Sequence, residues 1–289
     1  MSTVLVPTDF SPTSAFALGY ANHLAELTAS TLHVVHVYDG FTSQDTLIEL
    51  KGRPEAQIRA ERRLEEFVRV NSLLYSPVSG RRGDTLTVVK KSAIIGNPAS
   101  QIIEMSRDPE TKLIVMGGVG SGLERDRPML DGSIVRAVTL RSSCPVLVIP
   151  QGFDRPAIAN VALAFDREED LRKTKRGFDF FRSALDVSIR FVHVIREDES
   201  REDRIQREAV QLAFNDDFPG YPVEVDLIPP GELCDRLGTY IDDRQIDLLV
   251  LGRRQHSLLV RLFFGTTTAK LLTHCRIPLL ILPTDTNQN

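Results

Sequence analysis

Two stretches of this chain carry one layout, and any fold has to accommodate it twice. Leu113-Ile114-Val115-Met116 is a continuous apolar run that reads as a fully buried parallel strand. It ends in Gly117, Gly118, Gly120 and Gly122, where missing side chains let backbone amides approach an anion closely. A charged loop leads to Gly132-Ser133 at the head of a helix, whose free N–H groups and dipole favour a phosphate. Pro145–Pro150 closes the stretch as another buried strand. The order returns as Asp247–Gly252, Arg253-Arg254-Gln255, a spacer, Gly265-Thr266, a helix and Pro278–Pro283. Gly117 and Gly252 are 135 residues apart, whereas Gly132 and Gly265, like Pro150 and Pro283, are 133 apart. The two lost residues therefore fall in the loop between glycine and helix. Asp9 matches Asp166 and His36-Val37 matches His193-Val194, both at a separation of 157. Landmarks kept in order along both halves mark an internal duplication.

Bulk properties narrow the function classes. With 289 residues there is room for two domains of ordinary size. A net charge of −4 and a pI near 5.9 give no electrostatic footprint for nucleic acid or an anionic membrane. No apolar segment reaches the roughly 18 residues of a membrane span, and MSTVLVPTDF runs straight into a strand, so neither a span nor a signal peptide is expected. Cys144, Cys234 and Cys275 are an odd, scattered set without CxxC spacing. They suit a reducing cytoplasm, as packed thiols, and argue against a disulfide frame or a metal site.

Taken in order, Thr3–Pro7 reads as a short buried strand with Asp9 just past its end. Ser11-Pro12 resembles an N-cap followed by proline at the first helical position, and Phe16, Tyr20, Leu24 and Leu27 recur at helical spacing. Leu32–Val37 is predicted as strand two, Pro54 to about Val70 as a charged helix, and Thr85–Val89 as strand three. Gly96-Asn97-Pro98 introduces a helix carrying Ile102, Ile103 and Met105. The second half repeats the plan with strands at Val161–Asp166, Ile189–Val194 and Val223–Ile228, a charged helix over about 200–213, and a helix carrying Leu233, Leu237 and Ile241. The pattern predicts an α/β fold of two tandem five-stranded parallel-sheet domains of Rossmann type, at 1–150 and 157–285. Ligands of such sheets bind beyond the carboxyl ends of the strands, at the switch point. Asp9, Val37, Gly117 and Gly132 all fall at that edge.

Here the chain resembles the universal stress protein family in tandem form. VLVPTDFS, LHVVHVYD, GNPASQII, LIVMGG…GS and CPVLVIP carry the resemblance in the first half. VALAFD, IRFVHVIR, PPGELCDRL, DLLVLGRRQ…FFGTTTAKLL and IPLLILP carry it in the second. The resemblance implies domains like those of adenine nucleotide alpha hydrolases, many of them binding ATP or another adenine nucleotide, with or without Mg²⁺. It assigns Asp9 to the adenosine end, the Val37 backbone to adenine, and Gly117, Gly120, Gly122, Gly132 and Ser133 to the phosphates. It also implies that the final strands, Val146–Ile149 and Leu279–Leu282, pair the halves as an intramolecular pseudo-dimer that can dimerise again.

Neither half keeps the family's motif G-x-x-G, nine residues, G-[S/T]. Eleven residues separate Gly120 from Gly132, and although Gly122 restores nine, Val119 stands three before it. In the second half Gln255 to Gly265 leaves nine, but Gln255 replaces a glycine. Asp166, Val194, Gly252, Gln255, Gly265 and Thr266 therefore read as a degenerate site. Simpler roles stand beside these: Asp9 and Asp166 as helix caps, the glycines as a turn, His36 and His193 as packed strand histidines, the charged helices as solvated faces. No GxxxxGK[ST], GxSxG or HExxH occurs, which points to a nucleotide-responsive binding module. A scaffold without nucleotide and a slow ATPase are the alternatives.

Overall fold

Short apolar runs bounded by prolines, serines and glycines become strands, and the longer segments between them become helices. A computed structural model of the chain describes residues 2–38, 53–71, 88–118, 133–150, 152–153, 158–165, 178, 187–194, 224–229, 233–253 and 277–283. The chain divides into two units, Met1–Pro156 and Ala157–Asn289. The first contains β1 (Thr3–Pro7), α1 (Pro12–Leu27), β2 (Thr31–Tyr38), α2 (Arg53–Asn71), β3 (Val89–Ile95), α3 (Pro98–Met105), β4 (Thr111–Gly117), α4 (Ser133–Arg141) and β5 (Val146–Ile149). The second contains β6 (Asn160–Phe165), β7 (Ser188–Val194), β8 (Glu224–Ile228), α5 (Leu233–Asp243), β9 (Leu248–Arg253) and β10 (Leu279–Pro283).

In the first unit the strands lie in the order β3-β2-β1-β4-β5, every pairing parallel. The second unit reads β10-β9-β6-β7-β8, again all parallel. Each is the same sheet, so the duplication seen in sequence is a duplication of topology. Strands β1, β4, β5, β6 and β9 are apolar on both faces, as parallel strands covered by helices must be. In the first unit α1 packs with α2 and α3 with α4. Right-handed crossovers put these pairs on opposite faces, because the chain reverses its direction across the sheet after β3.

The helix ends follow local chemistry. Ser11 caps α1 by accepting the Ser14 N–H at 3.2 Å, with Pro12 in the first turn. Asn97 caps α3 by accepting from Ser100 N–H at 3.0 Å. At the other end of α1, Ala29 takes a left-handed φ of 49° while Ser30 N–H reaches the Ala25 carbonyl at 2.9 Å. Gln245 repeats this after α5, with φ 50° and Ile246 N–H on the Ile241 carbonyl at 3.0 Å. Both are the left-handed helix terminations that glycine usually supplies.

Two expectations need correction. Strand three is Val89–Ile95, not Thr85–Val89: Leu32 pairs with Val89 and Tyr38 with Ile95. It is the sheet's outer strand in this unit, so Lys90 and Lys91 can stand exposed on it, and an apolar-run criterion passes over them. The α1 stripe also stops short, since Tyr20 and Leu24 are buried but Leu27 is 44% exposed where the helix ends. The loop at 39–53 apart from Arg53, the helix at 200–213, Cys275 and the Cys234 side chain lie outside the described residues, and Cys144 is buried.

Candidate functional site

β1 gives out at Pro7, and the four residues after it build the rim. Thr8 is still held as strand, its N–H donating to the Val35 carbonyl at 2.9 Å. Its hydroxyl, 3.0 Å from the Ser14 hydroxyl, also accepts the Phe10 N–H at 3.0 Å. Asp9 is exposed, and its Oδ1 accepts the Ser11 N–H at 3.0 Å. Asp9 is therefore not the helix cap; Ser11 is, and Asp9 supports the cap residue. Phe10 adopts φ 67°, a left-handed conformation disfavoured for a side chain of its size.

Three side chains surround that strained residue. The His36 ring lies 4.2 Å from the Phe10 ring, Phe67 of α2 meets it edge-on at 5.5 Å, and the Arg63 guanidinium sits 4.4 Å from the ring centroid. His36 also donates its Nδ1–H to the Thr8 carbonyl at 2.8 Å, an assignment the carbonyl compels since it can only accept. Burial holds the His36 imidazole below its ordinary pKa; the bond to Thr8 and the charge of Asp9 oppose this, while Arg63 reinforces it. His36 is thus a packed, hydrogen-bonded histidine with its neighbours on both sides of Asp9.

The sheet register sets the rest. Pro7 pairs with Val35 and Leu5 with Ile114. Asp9 follows two residues after the end of β1, at the edge where β2 ends at Tyr38 and β4 at Gly117. These strands are neighbours, and β1 and β4 flank the point where the chain turns to opposite sides. Gly117 ends β4, and its glycine has a packing reason: a Cβ there would lie 2.8 Å from Thr13 Cγ2. Gly118 N–H still reaches the Ile149 carbonyl at 2.9 Å, so strand-like pairing runs one residue past β4. Ser133 opens α4, as expected from the sequence. Gly120, Gly122, Gly132 and the Ser133 side chain lie outside the described residues.

The second unit reproduces the frame. Phe165 pairs with His193, and their rings lie 5.2 Å apart; Val194 pairs with Ile228 and Gly252 with Leu282. Asp166, Gln255, Gly265 and Thr266 lie outside the described residues. Away from that edge, Asp226 on β8 accepts from the Tyr240 hydroxyl at 2.6 Å and lies 3.4 Å from Arg244 and 3.8 Å from Arg190. Burial, then the bond to Asp226, holds the Tyr240 phenol well above its ordinary range. Among the described residues there is no group of three or more His, Cys, Asp or Glu able to hold a metal ion, and no helix long and apolar enough to cross a membrane.

Sequence reasoning missed Phe10, Thr13 and Arg63. Arg63 belongs to a helix read as a solvated face, and Phe10 carried no periodic signal. One clue existed: an aromatic directly after the rim aspartate and a histidine before the rim valine.

Comparison with known proteins follows the same division. A family model described as the universal stress protein family matches residues 1–150 and again 160–283. A universal stress protein of Bacillus subtilis is 30% identical over 152 residues, 50% of this chain and 97% of that one. One from Synechocystis is 25% identical over 179 residues, 62% of this chain but only 56% of its own length. The crystal structure of a universal stress protein from Archaeoglobus fulgidus superposes with TM-score 0.67 at 16% identity, covering 98% of this chain and 97% of that one, which is a likeness of fold. With the same sheet in both units and a family match over both halves, the chain belongs to the universal stress protein family.

Proposed function

We propose that this chain is a cytoplasmic stress-response protein whose first unit binds an adenine nucleotide at the rim formed by β1, β2 and β4, and whose second unit carries a degenerate copy. The ligand is ATP or another adenine nucleotide, with or without Mg²⁺. The observation that supports this is the place of exposed Asp9, just past the carboxyl end of β1, where the neighbouring strands β2 and β4 also end, at the switch point. Asp9 would meet the adenosine end and the α4 N-terminus, at Ser133, the phosphates. In this reading the protein acts by binding. A scaffold that has lost nucleotide is the second reading, favoured by Gly117, whose open side is already taken by Thr13.

Isothermal titration with ATP, AMP and cyclic AMP separates the two. Binding that is abolished by Asp9→Ala and by Gly132→Val supports the nucleotide site. No heat with any of the three at millimolar concentration supports the scaffold. Phosphate release above that of a Ser133→Ala control would instead make the protein a slow ATPase.

A further inference from the structure

His36 touches the chain on both sides of Asp9. Its Nδ1–H is donated to the carbonyl of Thr8, the residue before the aspartate, at 2.8 Å. Its ring packs against that of Phe10, the residue after, at 4.2 Å between centroids and tilted by 41°. Phe10 sits in the left-handed region at φ 67°, which a bulky residue keeps only where its surroundings over-determine it. Among the described residues those surroundings are His36, Phe67 and Arg63, with the Thr8 hydroxyl accepting the Phe10 N–H. The strained turn then delivers the Ser11 N–H to Asp9 Oδ1 at 3.0 Å, which holds that carboxylate oxygen. The arrangement has a counterpart in the second unit, where His193 pairs with and packs against Phe165, the residue before Asp166. A histidine at the same register in both copies braces the last residue before the rim aspartate.

We infer that His36 is a positioning residue for Asp9: by bonding Thr8 and packing against Phe10 it holds the left-handed turn that aims the Asp9 carboxylate at its ligand. This rests on Asp9 being the nucleotide-binding carboxylate. The charged and titratable groups facing His36 are Asp9 from the β1–α1 loop, Arg63 from α2 and Tyr38 from its own strand. Both parts of the brace are separable. Asparagine can place an amide N–H near the Nδ1 position and keep the bond to Thr8 without the ring, whereas leucine fills similar volume with no donor.

The test titrates ATP into the full-length protein as wild type, His36→Asn and His36→Leu, each checked by thermal unfolding. His36→Leu is expected to weaken binding at least about tenfold and His36→Asn no more than about threefold. Equal losses in His36→Leu and His36→Asn would overturn the proposal. A second readout needs no ligand. The Ser11 amide proton, held by Asp9 Oδ1, should move as the Asp9 carboxyl titrates in wild type and His36→Asn, and cease to do so in folded His36→Leu. If the wild type binds no ATP, the nucleotide reading fails while the Ser11 signal still decides the brace. A Ser11 signal unchanged in His36→Leu refutes it.

Discussion

A Cβ on Gly117 would sit 2.8 Å from Thr13 Cγ2 and 3.0 Å from the Thr13 carbonyl carbon, so this glycine lets α1 close on β4. Gly117→Ala should cost about 1–3 kcal/mol through overpacking. Thr13→Ser in the same chain should recover part of it by removing Cγ2, both read from urea unfolding midpoints. His33 makes a different kind of claim. Its Nε2 lies 2.9 Å from the Ser92 hydroxyl, and burial, then the charge of Lys90 opposite it on β3, pushes its pKa from 6.5 down to about 4. Between those values the unfolded chain binds more protons than the folded one. Stability is therefore intact above pH 6.5, declines as pH falls, and levels off below about 4. His36 and His23, also held low by burial, act in the same direction. In His33→Gln the slope of stability against pH across that window should flatten. At this scale the sequence offered the aspartate and the glycines as ligands or turn residues, but no residue names the neighbour that will press against it.

Helix ends and sheet edges separate what is local from what is not. Ser11-Pro12 and Asn97-Pro98 were legible as helix starts because capping is decided within three residues. Ser11→Ala should cost about 1 kcal/mol and should leave the Asp9 contact with backbone N–H at position 11 intact, as unfolding midpoints and amide exchange would show. The ends were less legible, since Ala29 and Gln245 terminate helices at φ 49° and 50° without being glycine. Ala29→Gly should therefore stabilise by roughly 0.5–1 kcal/mol, the relief of a left-handed Cβ less the added chain entropy. A lower melting temperature would show that the Ala29 side chain has a packing role. β3 was misplaced for a related reason: its position depends on pairing with β2, and its exposed lysines hide it from any local pattern.

For the whole molecule the duplication carries the expectation. Two copies share one sheet order, yet the second has Gln255 where backbone should approach a phosphate. Titration should then give one nucleotide per chain, lost in Asp9→Ala and unchanged in Asp166→Ala; two equivalent sites would mean that Gln255 is tolerated. The sequence by itself determined the doubled α/β plan, the strand cores and the helix starts, because periodicity, capping and repeat spacing are properties of neighbours along the chain. Only the tertiary structure decided that β1 runs in register with β2 from Thr3 to Pro7, that Thr13 fills the space beside Gly117, and that His36 grips the turn around Asp9. Those depend on register and on helices closing over the sheet, contacts between residues far apart in sequence, which no stretch of the chain encodes alone.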